Sequence, residues 1–142
     1  YIPGSSLKGK LRSLSNEQQQ EEINKYFGGN NDDQGNLNMS NRILFSDLLL
    51  EGNEEKKDRN YFEIKYENSI TEDSEGEKMA TPRINKRTTS NLVFEGKVMI
   101  PQNNSEAEEL LKKLLKELKQ GYIGSNGSRG YGWVKEAELT KI

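Results

Sequence analysis

Residues 105–121, SEAEELLKKLLKELKQG, form the segment that most restricts how this chain can fold. Ser105 and Glu108 have the spacing of a capping box that starts a helix, and Gly121 is placed to end it. Apolar residues recur every three or four positions and would form one stripe along that helix: Ala107, Leu110, Leu111, Leu114, Leu115 and Leu118. We expect this helix to pack on a sheet of the same domain rather than on a membrane or a partner helix.

Short apolar segments elsewhere supply the strands of that sheet. Residues 42–50 and 91–100 are apolar runs between turn signals, and residues 61–67 alternate as a half-buried strand does. A last strand is expected around residues 131–139, after a glycine-rich loop. Leu7, Leu11 and Leu14 predict a first helix. The order indicates an α+β domain with helices on one face of an antiparallel sheet, and a strand ahead of residue 1 would complete a ferredoxin-like βαββαβ pattern.

Composition restricts the size of the core and the available chemistry. The chain has 142 residues, 31% hydrophobic and 31% charged, which indicates a single domain with a modest core. It contains no cysteine, which excludes disulfides and thiolate metal sites, and no histidine, the usual general base near neutral pH. No apolar run approaches the roughly 20 residues that span a bilayer, so we expect no membrane partner. Residues 28–41 have the composition of a loop.

Positive charge is concentrated near the start of a chain whose net charge is -2. Residues 1–13 carry Lys8, Lys10 and Arg12 and no acidic residue, and Ser5 or Ser6 can cap the helix that begins there. Lys8 and Arg12 share a helical face. Because a helix N-terminus offers free N–H groups, this stretch predicts a phosphate-binding site. The alternative is an ordinary capped helix with solvated lysines.

A glycine-rich loop, GSNGSRGYG at residues 124–132, is a second candidate for anion binding. Glycines allow close backbone approach to a ligand, and consecutive N–H groups in such a loop can surround an anion. The loop is not a Walker A motif, because no Gly-Lys-Ser/Thr ends it. A plain turn would have a similar composition.

The segment between the second and third predicted strands divides by charge. Residues 67–77 are acidic, whereas residues 78–90 carry Lys78, Arg83, Lys86 and Arg87 and no acid. Met79 and Ile84 are its apolar positions. A basic arm with apolar side chains could follow a nucleic acid and wedge between bases. The alternative is a solvated loop.

Three motifs in one order, IPGSSLKGKLRS, ATPR and GSRGYGWV, resemble the RAMP superfamily of CRISPR proteins. More closely, they resemble the Cas seven-type backbone subunits of type III effector complexes, with type III-A as the expected subtype. The resemblance implies one ferredoxin-like (RRM-like) RAMP domain over residues 1–142, lacking its first strand here, with a thumb-like insertion at residues 67–91. It also implies a cytoplasmic antiviral complex in which copies of the subunit form a filament on CRISPR RNA, with target RNA and other effector subunits as partners.

The resemblance assigns roles to residues of this chain. It implies RNA binding by Ser5, Ser6, Lys8, Lys10, Arg12, Arg83, Gly127, Ser128, Arg129 and Gly130. It implies thumb contacts by Met79, Pro82 and Ile84. Two positions depart from the family pattern: Glu72 stands where an arginine is frequent, and residues 85–88 read Asn-Lys-Arg-Thr where the family has Glu-Arg-Val.

Catalysis by the family depends on a loop that this sequence does not include. In type III-A subunits an aspartate ahead of the IPGSS motif supports cleavage of target RNA with a divalent metal, Mg²⁺. That region would lie before Tyr1, so we assign no catalytic residue and expect no cofactor bound by this chain. A second hypothesis stays open, a RAMP endoribonuclease that processes precursor CRISPR RNA, although such an enzyme normally uses a histidine or a comparable base.

Overall fold

The computed structural model describes residues 1–28, 41–52, 60–101 and 104–142. These residues form two compact units, one of Tyr1–Leu50 with Phe94–Ile142 and the other of Glu51–Val93. The loop expected at residues 28–41 lies almost wholly outside the described residues. The fold class is α+β, as the sequence predicts, with helices and antiparallel strands. In the described part of the chain, no helix has the length and apolar character needed to cross a membrane.

Three α-helices build the core of the first unit. They are α1 (Gly4–Ser13), α2 (Gln20–Phe27), which follows a 3-10 turn at Glu17–Gln19, and α3 (Ser105–Leu118). The stripe of α3 is buried as predicted, with Leu115 partly exposed. It packs with the inner faces of the other two helices in one cluster: Leu7, Leu11, Ile23, Tyr26, Phe27, Ile43, Ala107, Leu110, Leu111, Leu114 and Leu118. Burial of these side chains is the main driving force for folding of this unit.

The N-terminus of α3 differs from the expected capping box. Asn104, not Ser105, is the N-cap, and its side-chain oxygen accepts a hydrogen bond from the Ala107 amide at 3.1 Å. Asn104 and Glu106 also hold α2, because the Tyr26 hydroxyl lies 2.7 Å from Glu106 Oε2 and 3.2 Å from Asn104 Oδ1. The hydrogen bond from Tyr26 lowers the pKa of Glu106, and Lys25 lowers it further.

The strands predicted at residues 42–50 and 91–100 pair with each other, but each is broken in two. The strand β1 (Leu44–Phe45) pairs antiparallel with β6 (Val98–Met99), and β2 (Leu49–Leu50) pairs with β5 (Phe94–Glu95). Three residues, 46–48, face two residues, 96–97, between these pairs. This extra residue makes a bulge, at which Leu48 exchanges backbone hydrogen bonds with Ile2 at 2.8 and 2.9 Å. The bulge therefore joins the N-terminal segment to the sheet.

The final strand expected around residues 131–139 is not formed. Residues 131–142 take part in one isolated bridge, Tyr122 with Trp133, and in no strand. Gly132 has φ +65, a left-handed conformation that interrupts an extended backbone. The apolar side chains beyond it still pack against the helical core, including Val134, Ala137 and Leu139.

The second unit contains a long hairpin of β3 (Phe62–Glu72) and β4 (Lys78–Thr88). Its turn is held by Asp73, whose carboxylate accepts from the amides of Glu75 and Glu77 at 2.9 Å. The strand predicted at residues 61–67 is therefore present from Phe62 onward, but its apolar side chains are not half-buried. Phe62, Ile64 and Tyr66 are 48%, 59% and 74% exposed, because a two-stranded hairpin covers neither of its own faces.

The two units can be separated experimentally at a paired point of the backbone. The Glu51 amide donates to the Val93 carbonyl at 2.8 Å, at the two ends of the second unit. We expect a variant in which Asn-Gly replaces residues 52–92 to form a two-residue turn there and to keep the first unit folded. Circular dichroism should show the helical signal and one cooperative melting transition. Loss of that transition would show that the first unit depends on the second.

Candidate nucleic-acid interface

The start of α1 lies directly on the bulge between β1 and β2. A Cβ atom added to Gly4 would lie 2.5 Å from the Ser46 carbonyl oxygen and 2.7 Å from that of Phe45. The Gly4 amide donates to Asp47 Oδ1 at 2.9 Å. The expected cap by Ser5 or Ser6 is therefore wrong. Both serines lie inside the helix, after the N-cap position, and their side chains are exposed. Asp47 supplies the oxygen that accepts the hydrogen bond from the first helical amide. A phosphate at this end of α1 would have to be held by side chains and not by this first amide.

Lys8 and Arg12 lie together on one face of α1, as their spacing predicts, and Arg42 joins them. Partial burial lowers the pKa of Lys8, and the nearby positive charges of Arg42 and Arg12 lower it further. The Arg42 guanidinium lies over the C-terminal end of α2, where a Cβ on Gly28 would be 3.1 Å from its Cζ atom. We call Lys8, Arg12 and Arg42 the cationic cluster. Three cations this close repel one another, so a bound anion would relieve an electrostatic cost.

Lys10 is separated from this cluster, because a step of two residues carries it to the other side of α1. Its ammonium lies 4.2 Å from the ring centroid of Tyr122, within the range of a cation–π contact. Its Cε atom would be 3.7 Å from a Cβ on Gly121. Lys10 therefore connects α1 to the segment in which the glycine-rich loop begins. The first motif is thus linked to the third through Tyr122, whose ring packs on Gly127.

The glycine-rich loop is closed at its base by backbone hydrogen bonds. The Ile123 amide donates to the Gly132 carbonyl at 2.9 Å, and the Val134 amide donates to the Gly121 carbonyl at 3.0 Å. A Cβ on Gly132 would clash with the Ile123 carbonyl oxygen. The base of the loop is therefore a place where two backbone segments approach more closely than any residue with a side chain allows.

The tip of the loop is a 3-10 turn at Gly127–Arg129. The Tyr122 ring packs directly on Gly127, since a Cβ there would overlap the ring atoms, and the Trp133 indole N–H donates to the Gly127 carbonyl at 3.0 Å. Gly127 is buried by these contacts. Ser128, Arg129 and Gly130 are exposed at the surface of the turn, and their predicted RNA contacts stay predictions. Gly130 has φ +82 with no atom within 4 Å of an added Cβ, so it provides backbone freedom and not close packing.

The arm residues named from the sequence lie on the hairpin of the second unit, and they point to different faces. Ile84 is opposite Tyr66 and Pro82 is opposite Asn68, so both belong to the face that carries Ile64 and Ile70. Met79 and Arg83, opposite Thr71 and Glu67, belong to the other face. That second face is mainly polar, with an ion pair between Arg87 and Glu63 and a hydrogen bond from Asn85 to Glu67 at 2.7 Å. Arg83 therefore shares a face with Met79 but not with Pro82 and Ile84.

Sequence reasoning missed three residues of the candidate interface. Arg42 precedes a strand and carries no motif, and only its packing over Gly28 places it beside Lys8. Tyr122 and Trp133 are the aromatic residues at the two sides of the glycine-rich loop. These two residues could have been proposed from the sequence, because aromatic residues next to basic ones are typical of sites that bind single-stranded nucleic acids.

The described residues contain no cluster of metal-ligating side chains. In those parts of the chain no group of three or more histidine, cysteine, aspartate or glutamate side chains is arranged to hold a metal ion. The family resemblance assigns the Mg²⁺ of target cleavage to an aspartate loop ahead of the IPGSS motif, and not to these residues. No chemical step through a metal is assigned to them.

Comparison with known proteins identifies the family. The model of the RAMP superfamily matches residues 1–135. A Methanocaldococcus jannaschii protein named CRISPR system Cms endoribonuclease Csm3 is 32% identical over 161 aligned positions, which cover 99% of this chain and 64% of that protein. Proteins of the same name from Streptococcus thermophilus and Mycobacterium tuberculosis are 33% and 27% identical, over 97% of this chain in each case and 69% and 70% of their own lengths. The chain thus spans about two thirds of the length of the relatives it matches.

Proposed function

Because this chain belongs to the RAMP superfamily, we propose that it binds CRISPR RNA as a backbone subunit of a type III effector complex. Its similarity to proteins named Csm3 extends over nearly its whole length and supports that assignment. The observation that carries the proposal is the position of α1. One face of this helix carries Lys8 and Arg12 of the cationic cluster, and the other contacts Tyr122, next to the glycine-rich loop, through Lys10.

The cationic cluster is suited to a phosphate backbone and not to particular bases. Lysine and arginine side chains on one helical face contact phosphate oxygens without reading sequence. A subunit that holds a guide RNA of variable sequence needs this kind of contact. Ser5 and Ser6, exposed one turn before Lys8, add hydroxyl donors on the same helix. In this proposal Ser128, Arg129 and Gly130 contact the RNA from the surface of the glycine-rich loop.

A modest net charge of -2 is compatible with such a role. A protein that binds RNA alone usually needs a basic surface, because phosphate contacts supply most of its affinity. A subunit that binds side by side with copies of itself gains affinity from many linked contacts. We therefore propose a filament on CRISPR RNA, with target RNA and other effector subunits as further partners and the cytoplasm as its location.

The hairpin of the second unit is the proposed thumb. It includes most of residues 67–91, the range expected for this insertion, and it extends back to Phe62. In this proposal Pro82 and Ile84 on one face, or Met79 on the other, contact a base step of a guide–target duplex, and Arg83 contacts a phosphate. Target cleavage and its Mg²⁺ are proposed to depend on the aspartate loop ahead of the IPGSS motif, and not on the residues described above.

Photocrosslinking tests the proposed interface directly. The chain would be irradiated with a CRISPR repeat–spacer RNA that carries 4-thiouridine at many positions, and the crosslinked peptides identified by mass spectrometry. We expect crosslinks in residues 1–15 and 121–134, because α1 and the glycine-rich loop form one site. Crosslinks confined to α3 or to the C-terminal segment after residue 135 would contradict the proposal. Specific cleavage of the repeat in the same incubation would favour the precursor-processing endoribonuclease instead.

A further inference from the structure

Trp133 is the most exposed large aromatic side chain of the first unit after Tyr1. Its side chain is 62% exposed, although it follows the buried Tyr131 and lies at the closed base of the glycine-rich loop. Its indole N–H is already satisfied by the Gly127 carbonyl at 3.0 Å. The hydrogen bond fixes the direction of the ring and leaves its apolar surface to solvent. An exposed ring with a fixed orientation and no free polar atom is an unusual feature in a small domain.

The surroundings of Trp133 are polar and include a cation. Trp133 forms a β-bridge with Tyr122, so the two side chains leave the same side of the backbone pair. The Tyr122 ring is occupied, because it packs on Gly127 and lies 4.2 Å from the Lys10 ammonium. The loop beside them, residues 124–130, consists of glycine, serine, asparagine and arginine. The Trp133 ring is therefore exposed to solvent beside the glycine-rich loop, and its bridge partner Tyr122 contacts the positive charge of Lys10.

We propose that Trp133 is a stacking platform for one base of a single-stranded RNA whose backbone is held by α1 and the glycine-rich loop. This inference rests on the proposed function and adds to it a base-contacting residue. Stacking on an aromatic ring tolerates any base, so it suits a guide of variable sequence. Lys10 favours the approach of the phosphate next to that base, and the hydrogen bond to Gly127 holds the indole ready before the RNA arrives.

A second copy of the chain is the main alternative occupant of this surface. A protein interface centred on a tryptophan normally surrounds it with other apolar side chains that exclude water. The glycine-rich loop next to Trp133 offers polar residues and backbone amides instead. Those groups match a ribose-phosphate chain better than an apolar protein surface, and the nearby ammonium of Lys10 adds charge complementarity to an RNA.

The chain contains one tryptophan, so its fluorescence reports on this site alone. The full chain would be titrated with single-stranded RNA of mixed sequence and with an abasic ribose-phosphate oligomer of the same length. A filter assay would measure binding independently. We expect the RNA to quench the fluorescence with the midpoint found in the filter assay, because a stacked base is in direct contact with the indole. The abasic oligomer should bind through its phosphates and leave the fluorescence unchanged.

Two variants complete the test. Trp133→Leu should weaken binding of the RNA by about tenfold, Trp133→Phe by less, and neither should change binding of the abasic oligomer. RNA binding without quenching, or equal losses for both oligomers, would overturn the stacking platform and leave the proposed function intact. Quenching that follows protein concentration without RNA would also overturn it and would indicate a second copy. Absence of RNA binding in both assays would contradict the proposed function itself. If Trp133→Leu fails to fold, the fluorescence of the unchanged chain still decides.

Discussion

Replacing Gly132 with alanine is expected to lower the free energy of unfolding by roughly 3–5 kcal/mol, which is a large part of the stability of a small domain. Two effects add at this position. Gly132 has φ +65, where an alanine costs about 1–2 kcal/mol, and its new Cβ would clash with the Ile123 carbonyl oxygen. Because that oxygen belongs to the backbone, it cannot rotate away as a side chain could. The loop would open at the hydrogen bond from Ile123 to Gly132.

Gly124 provides a matched control for this prediction. It belongs to the same loop and also has a positive φ, +93, but no atom lies within 4 Å of an added Cβ. Gly124→Ala should therefore show only the cost of the left-handed backbone, about 1–2 kcal/mol. Urea denaturation of the two variants and the unchanged chain measures the difference. Equal losses of stability in the two variants would mean that the base of the loop is not closed as described.

This comparison shows what a sequence can and cannot reveal about a glycine-rich loop. The composition of residues 124–132 predicts a loop with close backbone approach, and the structure has such an approach. The sequence does not say which glycine makes it. Gly127 and Gly132 are packed against other atoms, whereas Gly124 and Gly130 are surrounded by open space. That difference depends on the position of Tyr122 and Ile123 across the loop, which is a tertiary property.

The helices α1 and α3 were predictable because the spacing of their apolar residues is local information, whereas α2 was not predicted as a separate helix. The stripe of α3 was evident from spacing alone, and the structure buries it. The strands were less predictable, because their pairing depends on distant residues. The segment at 42–50 is one apolar run in the sequence, yet the bulge at Ser46–Leu48 breaks it so that Leu48 can pair with Ile2. Asp47 then reaches the Gly4 amide, a cap that no local pattern of α1 could indicate.

The hairpin of the second unit illustrates a different limit. Alternation at residues 61–67 predicts a strand correctly, and it also suggests a buried face. In the structure that face continues through Ile70 and Ile84 and remains exposed, since the described residues of the second unit provide no layer to cover it. The periodicity of apolar residues predicts which side chains share a face, but it does not predict whether another element packs on that face. The same limit applies to Trp133, whose exposure is evident only once the loop is folded.

Removal of the cationic cluster's two α1 residues tests the central claim, that this helix binds an RNA backbone. We expect the variant Lys8→Ala with Arg12→Ala to bind single-stranded RNA about 100-fold more weakly at low salt, because each side chain contributes a charged contact to phosphate. Folding should not suffer. The charges of Arg42 and Arg12 help to lower the pKa of Lys8 in the folded chain, so removal of Lys8 and Arg12 relieves repulsion.

The deciding measurement is the slope of log affinity against log salt concentration for this double variant. Each phosphate contact to a single strand contributes about 0.7 to that slope, so the loss of two should flatten it by roughly 1.4. The loss should be equal for RNAs of different sequence. A control variant, Lys113→Ala with Lys116→Ala, removes two exposed lysines of α3 and should leave the slope unchanged. A slope that falls equally in both variants, or in neither, would contradict the assignment of α1 as the RNA-binding helix.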